Sequence, residues 1–155
     1  MLKSRDPRDT DYDGALDCAR SMHEESWYVD FTWSPIKFRN FWQAVLDSPD
    51  FFGRIIYDDQ TEDIVGFFAG YMAEHYFSYE KYACEVAMYI DKKNRGKGAF
   101  VVLGIIDEFE KWAATHNCMS VAFGVTAGIT DERSIKLYEK LGYVKSSQLL
   151  HKKCI

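Results

Sequence analysis

The stretch Met88-Tyr89-Ile90-Asp91-Lys92-Lys93-Asn94-Arg95-Gly96-Lys97-Gly98 passes from a short apolar run through a polar turn into a basic, glycine-rich loop. A long amphipathic segment, Phe100 to His116, follows it. This reads as a strand, an anion cradle and a helix. The first four N–H groups of a helix lack partners inside it, the helix dipole places partial positive charge there, and glycines let a phosphate come close to the backbone. The loop is no Walker-type P-loop, because Gly-x-x-x-x-Gly-Lys-Ser/Thr is absent, and no dinucleotide fingerprint, because Gly-x-Gly-x-x-Gly is absent.

Working outward, Tyr82 to Ile90 is the strand that feeds the loop. Phe51 to Tyr57 and Ile64 to Ala73 are strand-like runs, and the polar turn Asp58 to Asp63 between them suggests antiparallel pairing. Leu2 to Arg5 is a short first strand. Tyr12 to about Trp27 suits a helix with Ala15, Ala19 and Met22 on one face. Ser34-Pro35 supplies an N-cap and a proline at the first helical position, and Phe38, Phe41, Trp42, Val45 and Leu46 follow at helical spacing until Pro49. In the helix after the loop, Val102, Ile105, Ile106, Phe109, Trp112 and Ala113 share a face, and Gly104 is expected to permit close packing on the sheet. Met119 to Val125 reads as a buried strand. A helix from Asp131 stopped by Gly142 comes next, and Tyr143 to Lys145 and Gln148 to Lys153 supply short final strands. The fold expected is α+β, a central mixed sheet flanked by helices in three layers, with residues 1–155 as one domain.

Bulk properties narrow the function. Hydrophobic content of 47% with 28% charged residues is ordinary for a soluble globular chain of 155 residues. No apolar run approaches the ~20 residues of a membrane helix, and the charged first ten residues do not form a signal peptide, so a cytoplasmic protein without a membrane partner is expected. A net charge of −5 argues against a nucleic-acid surface. The basic cluster is local, Lys92, Lys93, Arg95 and Lys97, whereas residues 1–30 hold eight acids against four Lys or Arg. Cys18, Cys84, Cys118 and Cys154 are scattered, with no metal-ligand spacing, so reduced structural cysteines and no metal are expected.

Two motifs carry a family resemblance. Arg95-Gly96-Lys97-Gly98-Ala99 is similar to the pyrophosphate loop of the GNAT N-acetyltransferase superfamily, Arg/Gln-x-x-Gly-x-Gly/Ala, matching at Arg95 and Gly98 and departing at Phe100. The stretch Asp131-Glu132-Arg133-Ser134-Ile135-Lys136-Leu137-Tyr138-Glu139-Lys140-Leu141-Gly142-Tyr143 resembles the second signature, Asn-x-x-Ala-x-x-Leu-Tyr-x-x-x-Gly-Phe/Tyr, with Asp131 for Asn and Ser134 for Ala. The order of elements is also similar. A narrower likeness, to small acetyltransferases of bacteria and their phages, rests on Gly124-Val125-Thr126-Ala127-Gly128-Ile129 before the last helix.

The resemblance implies acetyl-coenzyme A as co-substrate, without a metal. Its phosphates would lie on the amides of Arg95, Gly96, Lys97, Gly98, Ala99 and Phe100, its pantetheine along Met88, Tyr89 and Ile90, with Asp131 and Tyr138 completing the cofactor site. Arg95 or Lys97 could add charge, and Phe100 is expected to turn into the core. The reaction would be direct acetyl transfer to a small-molecule or peptide amine. A lysine-like amine with a pKa of ~10.4 is neutral only about once in 2,500 molecules at pH 7, so a base is useful. Glu85, the one carboxylate within the strand feeding the loop, is the candidate base. Strand alternation puts it on one face with Ala87 and Tyr89. Tyr138 is the candidate acid. His23, Glu24, Glu25, His75 and Tyr76 lie on segments flanking the acceptor groove in this layout. The alternative reading is a non-catalytic acyl-coenzyme A binding or sensing module on the same fold, and a homodimer is left open.

Overall fold

The computed structural model describes residues 1–129 and 131–154, with the side chain of Asp131 outside that description. Five strands, β1 (Leu2–Arg5), β2 (Phe51–Asp58), β3 (Ile64–Glu74), β4 (Lys81–Ile90) and β5 (Cys118–Ala122), form one sheet in sequential order. β1 to β4 pair antiparallel, and β4 pairs parallel with β5. The sheet is therefore mixed, as the order of elements implied. The parallel step follows from the crossover helix α3 (Ala99–Thr115), since parallel neighbours need a long connection.

Helices cover both faces. α1 (Tyr12–Glu25) and α2 (Pro35–Asp47) pack on one side, where Ala15, Ala19, Phe38 and Trp42 meet Ile55, Phe67, Ala87 and Tyr89. α2 begins where Ser34 Oγ accepts the Lys37 N–H at 3.3 Å, with Pro35 at its first position. On the other side α3 buries Ile105, Phe109 and Ala113 against Phe52, Ile56 and Phe68. Phe68 and Phe109 meet edge to face, centroids 5.0 Å apart. α4 (Asp131–Lys140) follows the loop after β5.

Several expectations change. α1 ends at Glu25, and Trp27–Asp30 forms a separate 3-10 turn, begun where Ser26 Oγ accepts the Tyr28 N–H. Gly104 faces open space, and a Cβ there would touch nothing within 4 Å among the described residues. The close helix-to-sheet approach occurs at Gly70 instead, where a Cβ would sit 2.6 Å from Phe109. β5 stops at Ala122 and is largely exposed, because it is an edge strand with β4 on one side only. Tyr143–Lys145 and Gln148–Lys153 form no strands: Leu149 and Leu150, consecutive in sequence, are both exposed, so no single face gains from burial. This tail lies along the protein through the His151 ring, 4.2 Å from Trp27, and a Lys153–Asp30 ion pair.

Candidate functional site

β4 and β5 pair only from Lys81 to Cys84, and beyond that point the strands part. The chain then leaves β5 through Phe123 to Ile129 towards α4, so the β4 edge from Glu85 to Ile90 faces a cleft of about 610 Å³. Into this cleft the structure brings Glu85, Met88, Tyr89, Ile90, Arg95, Gly96, Gly98, Ala99 and Tyr138. Lys97 lies outside it on the exposed surface.

At Gly70 the pairing between β3 and β4 skips a residue: Ala69 lies opposite Ala87, but Gly70 lies opposite Glu85. Val86 is the extra residue of a β-bulge. The bulge breaks the simple alternation expected of β4, moving Glu85 from the α1 face shared by Ala87 and Tyr89 to the α3 face, beside Gly70. There Glu85 Oε2 accepts the Gly124 N–H at 3.0 Å, and the Met88 N–H also serves the carboxyl. Burial pushes its pKa from the ordinary 4.5 up to about 7, against the pull of those two N–H donors.

Tyr138 stands on α4 in the same cleft, its ring stacked on Phe123 at 4.6 Å. Its phenol is driven above its ordinary range, first by burial and then by the Glu85 charge, and so stays protonated at neutral pH. A proton acceptor poised near neutrality and a retained phenolic proton thus share one cavity.

The loop is held in shape by its own hydrogen bonds and leads into α3 with unpaired amides. Asp91 caps its turn, Oδ1 accepting both the N–H and the Nδ2–H of Asn94 at 2.8 and 2.9 Å. Gly96 takes a φ of +88°, a conformation glycine adopts without strain. The first helical bond of α3 runs from the Val102 N–H to the Gly98 carbonyl, leaving the amides of Gly98, Ala99, Phe100 and Val101 unpaired among the described residues. A Cβ on Gly98 would fall 2.5 Å from Ile90 Cδ1, so glycine lets the helix start close against the strand end. Phe100 contradicts its expected place: it is 90% exposed, neither in the core nor lining the cleft, because the first turn of α3 aims it at solvent.

Arg95 also behaves differently from a free phosphate ligand. Its Nη1 meets Glu25 Oε2 at 2.6 Å, its Nε donates to the Ile90 carbonyl at 2.9 Å, and its guanidinium lies over the Tyr89 ring at 5.2 Å. Of the segments expected to flank an acceptor, Met22, Ser26 and Tyr28 reach the cleft. His23 packs on Trp33 instead, while His75 stacks on Tyr82 at the tip of the β3–β4 hairpin and Tyr76 there is fully exposed. Sequence reasoning missed Gly124 as a hydrogen-bond donor and the 3-10 turn as a wall, since both arise from contacts across the fold. Cys84 adjoins Glu85, but burial and that carboxylate raise its thiol, the reverse of an activated nucleophile. Among the described residues no group of three His, Cys, Asp or Glu side chains could hold a metal ion, and no helix is long and apolar enough to cross a membrane.

The mixed five-strand sheet flanked by helices, with a glycine loop between β4 and α3 beside a splayed parallel strand pair, matches the GNAT fold, and the sequence agrees with it. A profile of the acetyltransferase (GNAT) family matches residues 15–143, and the chain belongs to that family. No curated protein matches it significantly. Among solved structures, glucosamine-6-phosphate N-acetyltransferase from Arabidopsis thaliana is similar with a TM-score of 0.73 and 16% identity, covering 100% of this chain and 99% of that one. The aminoglycoside 6'-N-acetyltransferase AAC(6')-IG of Acinetobacter haemolyticus gives a TM-score of 0.68 at 14% identity, covering 99% and 97%. AAC(6')-Iy, solved with a bisubstrate analog of coenzyme A and acetylneamine, gives 0.69 at 16%, covering 99% of both chains. At these identities the likeness concerns the fold.

Proposed function

We propose that this protein is an acetyl-coenzyme A-dependent N-acetyltransferase that transfers the acetyl group directly to an amine. The observation that carries the reading is Glu85, a carboxyl with a pKa of about 7 in the same cleft as Tyr138 and the glycine loop. The chain's own groups suit the co-substrate. The unpaired amides at the start of α3 fit a pyrophosphate, and the free edge of β4 from Glu85 to Ile90 fits the pantetheine amides as a neighbouring strand would. Asp131, whose side chain lies outside the described residues, keeps its assignment from the motif alone.

In this mechanism Glu85 takes a proton from the acceptor ammonium, directly or through one water, and frees the lone pair that attacks the thioester carbonyl. The C–N bond forms and the C–S bond breaks. Tyr138 donates its proton to the leaving thiolate sulfur, the second proton shed by the acetylated nitrogen passes through solvent to restore the phenol, and Glu85 returns its proton to solvent, so the products are an acetamide, coenzyme A thiol and one proton. The acceptor is a small-molecule or peptide amine, and residues 1–155 act as one cytoplasmic acetyltransferase domain, with neither nucleic acid nor membrane as partner. Kinship with small bacterial and phage enzymes rests on Gly124 to Ile129.

Two measurements test the proposal in sequence. Saturating acetyl-coenzyme A at a hundred times its dissociation constant should raise stability by about 2.7 kcal/mol in a thermal-shift assay. Thiol release should then appear with at least one member of a panel of polyamines, aminoglycosides, amino acids and peptide N-termini. Absence of any shift would overturn the reading. A shift without turnover across the panel would favour a non-catalytic binding module.

A further inference from the structure

Glu25 is the last residue of α1, far from β4 in sequence, yet it joins two residues of the cofactor wall. Its Oε2 pairs with Arg95 Nη1 at 2.6 Å, and its Oε1 accepts the Tyr89 hydroxyl at 2.6 Å. The carboxyl is held below its usual range, chiefly by Arg95. Both oxygens are therefore committed to the anion loop and the strand feeding it. Arg95 completes the brace through its Nε bond to the Ile90 carbonyl at 2.9 Å, which ties the loop back onto the end of β4. Its remaining nitrogen, Nη2, is buried without a hydrogen-bond partner among the described residues.

We propose that Glu25 is a positioning residue for pyrophosphate binding: through Arg95 and Tyr89 it fixes the loop from Asp91 to Gly98, and with it the unpaired amides at the start of α3. The inference rests on the proposed use of coenzyme A. It reverses the expected role of Arg95, which contributes geometry in place of a free positive charge. The physical basis is preorganisation, because amides already held at their final spacing lose little entropy when the anion arrives. Gly96, at a φ of +88°, is the pliable point of the loop, and the Arg95 brace sits immediately before it. Glu25 directly precedes Ser26, which lines the cleft together with Tyr28, so the brace also ties the cofactor loop to the segment that forms this wall.

The test compares Glu25→Gln with the native protein on two probes, coenzyme A by calorimetry and pantetheine, which lacks the pyrophosphate, by NMR titration. Glu25→Gln keeps the size of the side chain and removes its charge. Coenzyme A affinity is expected to fall at least tenfold, the scale of a lost hydrogen bond between charged groups, while pantetheine affinity changes less than twofold. A double variant, Glu25→Gln with Arg95→Gln, should bind coenzyme A no more weakly than the worse single variant, because both act through one brace. Equal losses on both probes would overturn the inference, as would unchanged coenzyme A affinity in Glu25→Gln. Failure of the native protein to bind coenzyme A would instead overturn the proposed function on which it rests.

Discussion

Replacing Glu85 by glutamine should change the pH dependence of stability, and the size of the change follows from where the bulge puts this side chain. The carboxyl titrates near 4.5 when unconstrained and at about 7 in the folded protein. The folded state thus holds the proton more tightly than the unfolded chain. Its contribution to stability is complete below about pH 4.5 and is lost as pH rises through about 7. At ~1.36 kcal/mol per pH unit the limit is ~3.4 kcal/mol, and partial exposure lowers the expectation to about 2 kcal/mol. The Gln amide oxygen can still accept the Gly124 N–H, so the variant removes the titration and keeps the contact. Neighbouring Cys84 and Tyr138 are both pushed upward and stay protonated across the window.

The assay is urea unfolding of both proteins at pH 5 and pH 8.5. Stability of the native protein relative to Glu85→Gln should fall by about 2 kcal/mol between the two, or about 4–8 °C in Tm for a domain of this size. A difference that stays constant with pH, or grows in the other direction, would refute the account of Glu85 as a carboxyl destabilised by burial, and the base assignment with it. With an acceptor in hand, the same variant should lower turnover by ~10²-fold and flatten the acid limb of the kcat/KM profile near pH 7.

Tyr138→Phe should reduce kcat more for thioesters with poorer leaving thiols than for good ones, read by comparing acyl donors at saturation; an equal effect on all donors would remove the acid role. Gly104→Ala should stabilise the protein by about 1 kcal/mol in urea unfolding, since the added methyl meets nothing and the helix gains propensity. Gly70→Ala should destabilise it by about 1–3 kcal/mol, because its Cβ would press on Phe109 at 2.6 Å. Phe100→Ala should shift stability by less than about 0.5 kcal/mol, as expected for a side chain in solvent, and a loss of ~3 kcal/mol would restore the core position expected from sequence.

How far the sequence was legible depended on how local each cause is. Ser34-Pro35 announces α2, the polar turn from Asp58 to Asp63 announces the β2–β3 hairpin, and glycines beside Arg95 announce a loop opening a helix, because caps, turns and left-handed glycines act within a few residues. Those local signals, with period-two and helical spacing between them, were enough for a mixed sheet between helices, whereas most of the residues that meet in the cleft were named by the resemblance of the Arg95 loop and the Asp131–Tyr143 stretch to the family's two motifs. Side-chain direction was not available in the same way. A single extra residue at Val86 turned Glu85 to the opposite face, and the first turn of α3 sent Phe100 into solvent. Glu25 reached Arg95 across 70 residues of chain. The Glu85 pKa is also a tertiary product, since it comes from burial beside Gly124 in a gap that exists only where β4 and β5 part. Spacing along a chain specifies which elements form, whereas register shifts, desolvation and ion pairs between distant segments arise only once those elements pack, and these decided the chemistry of the cleft.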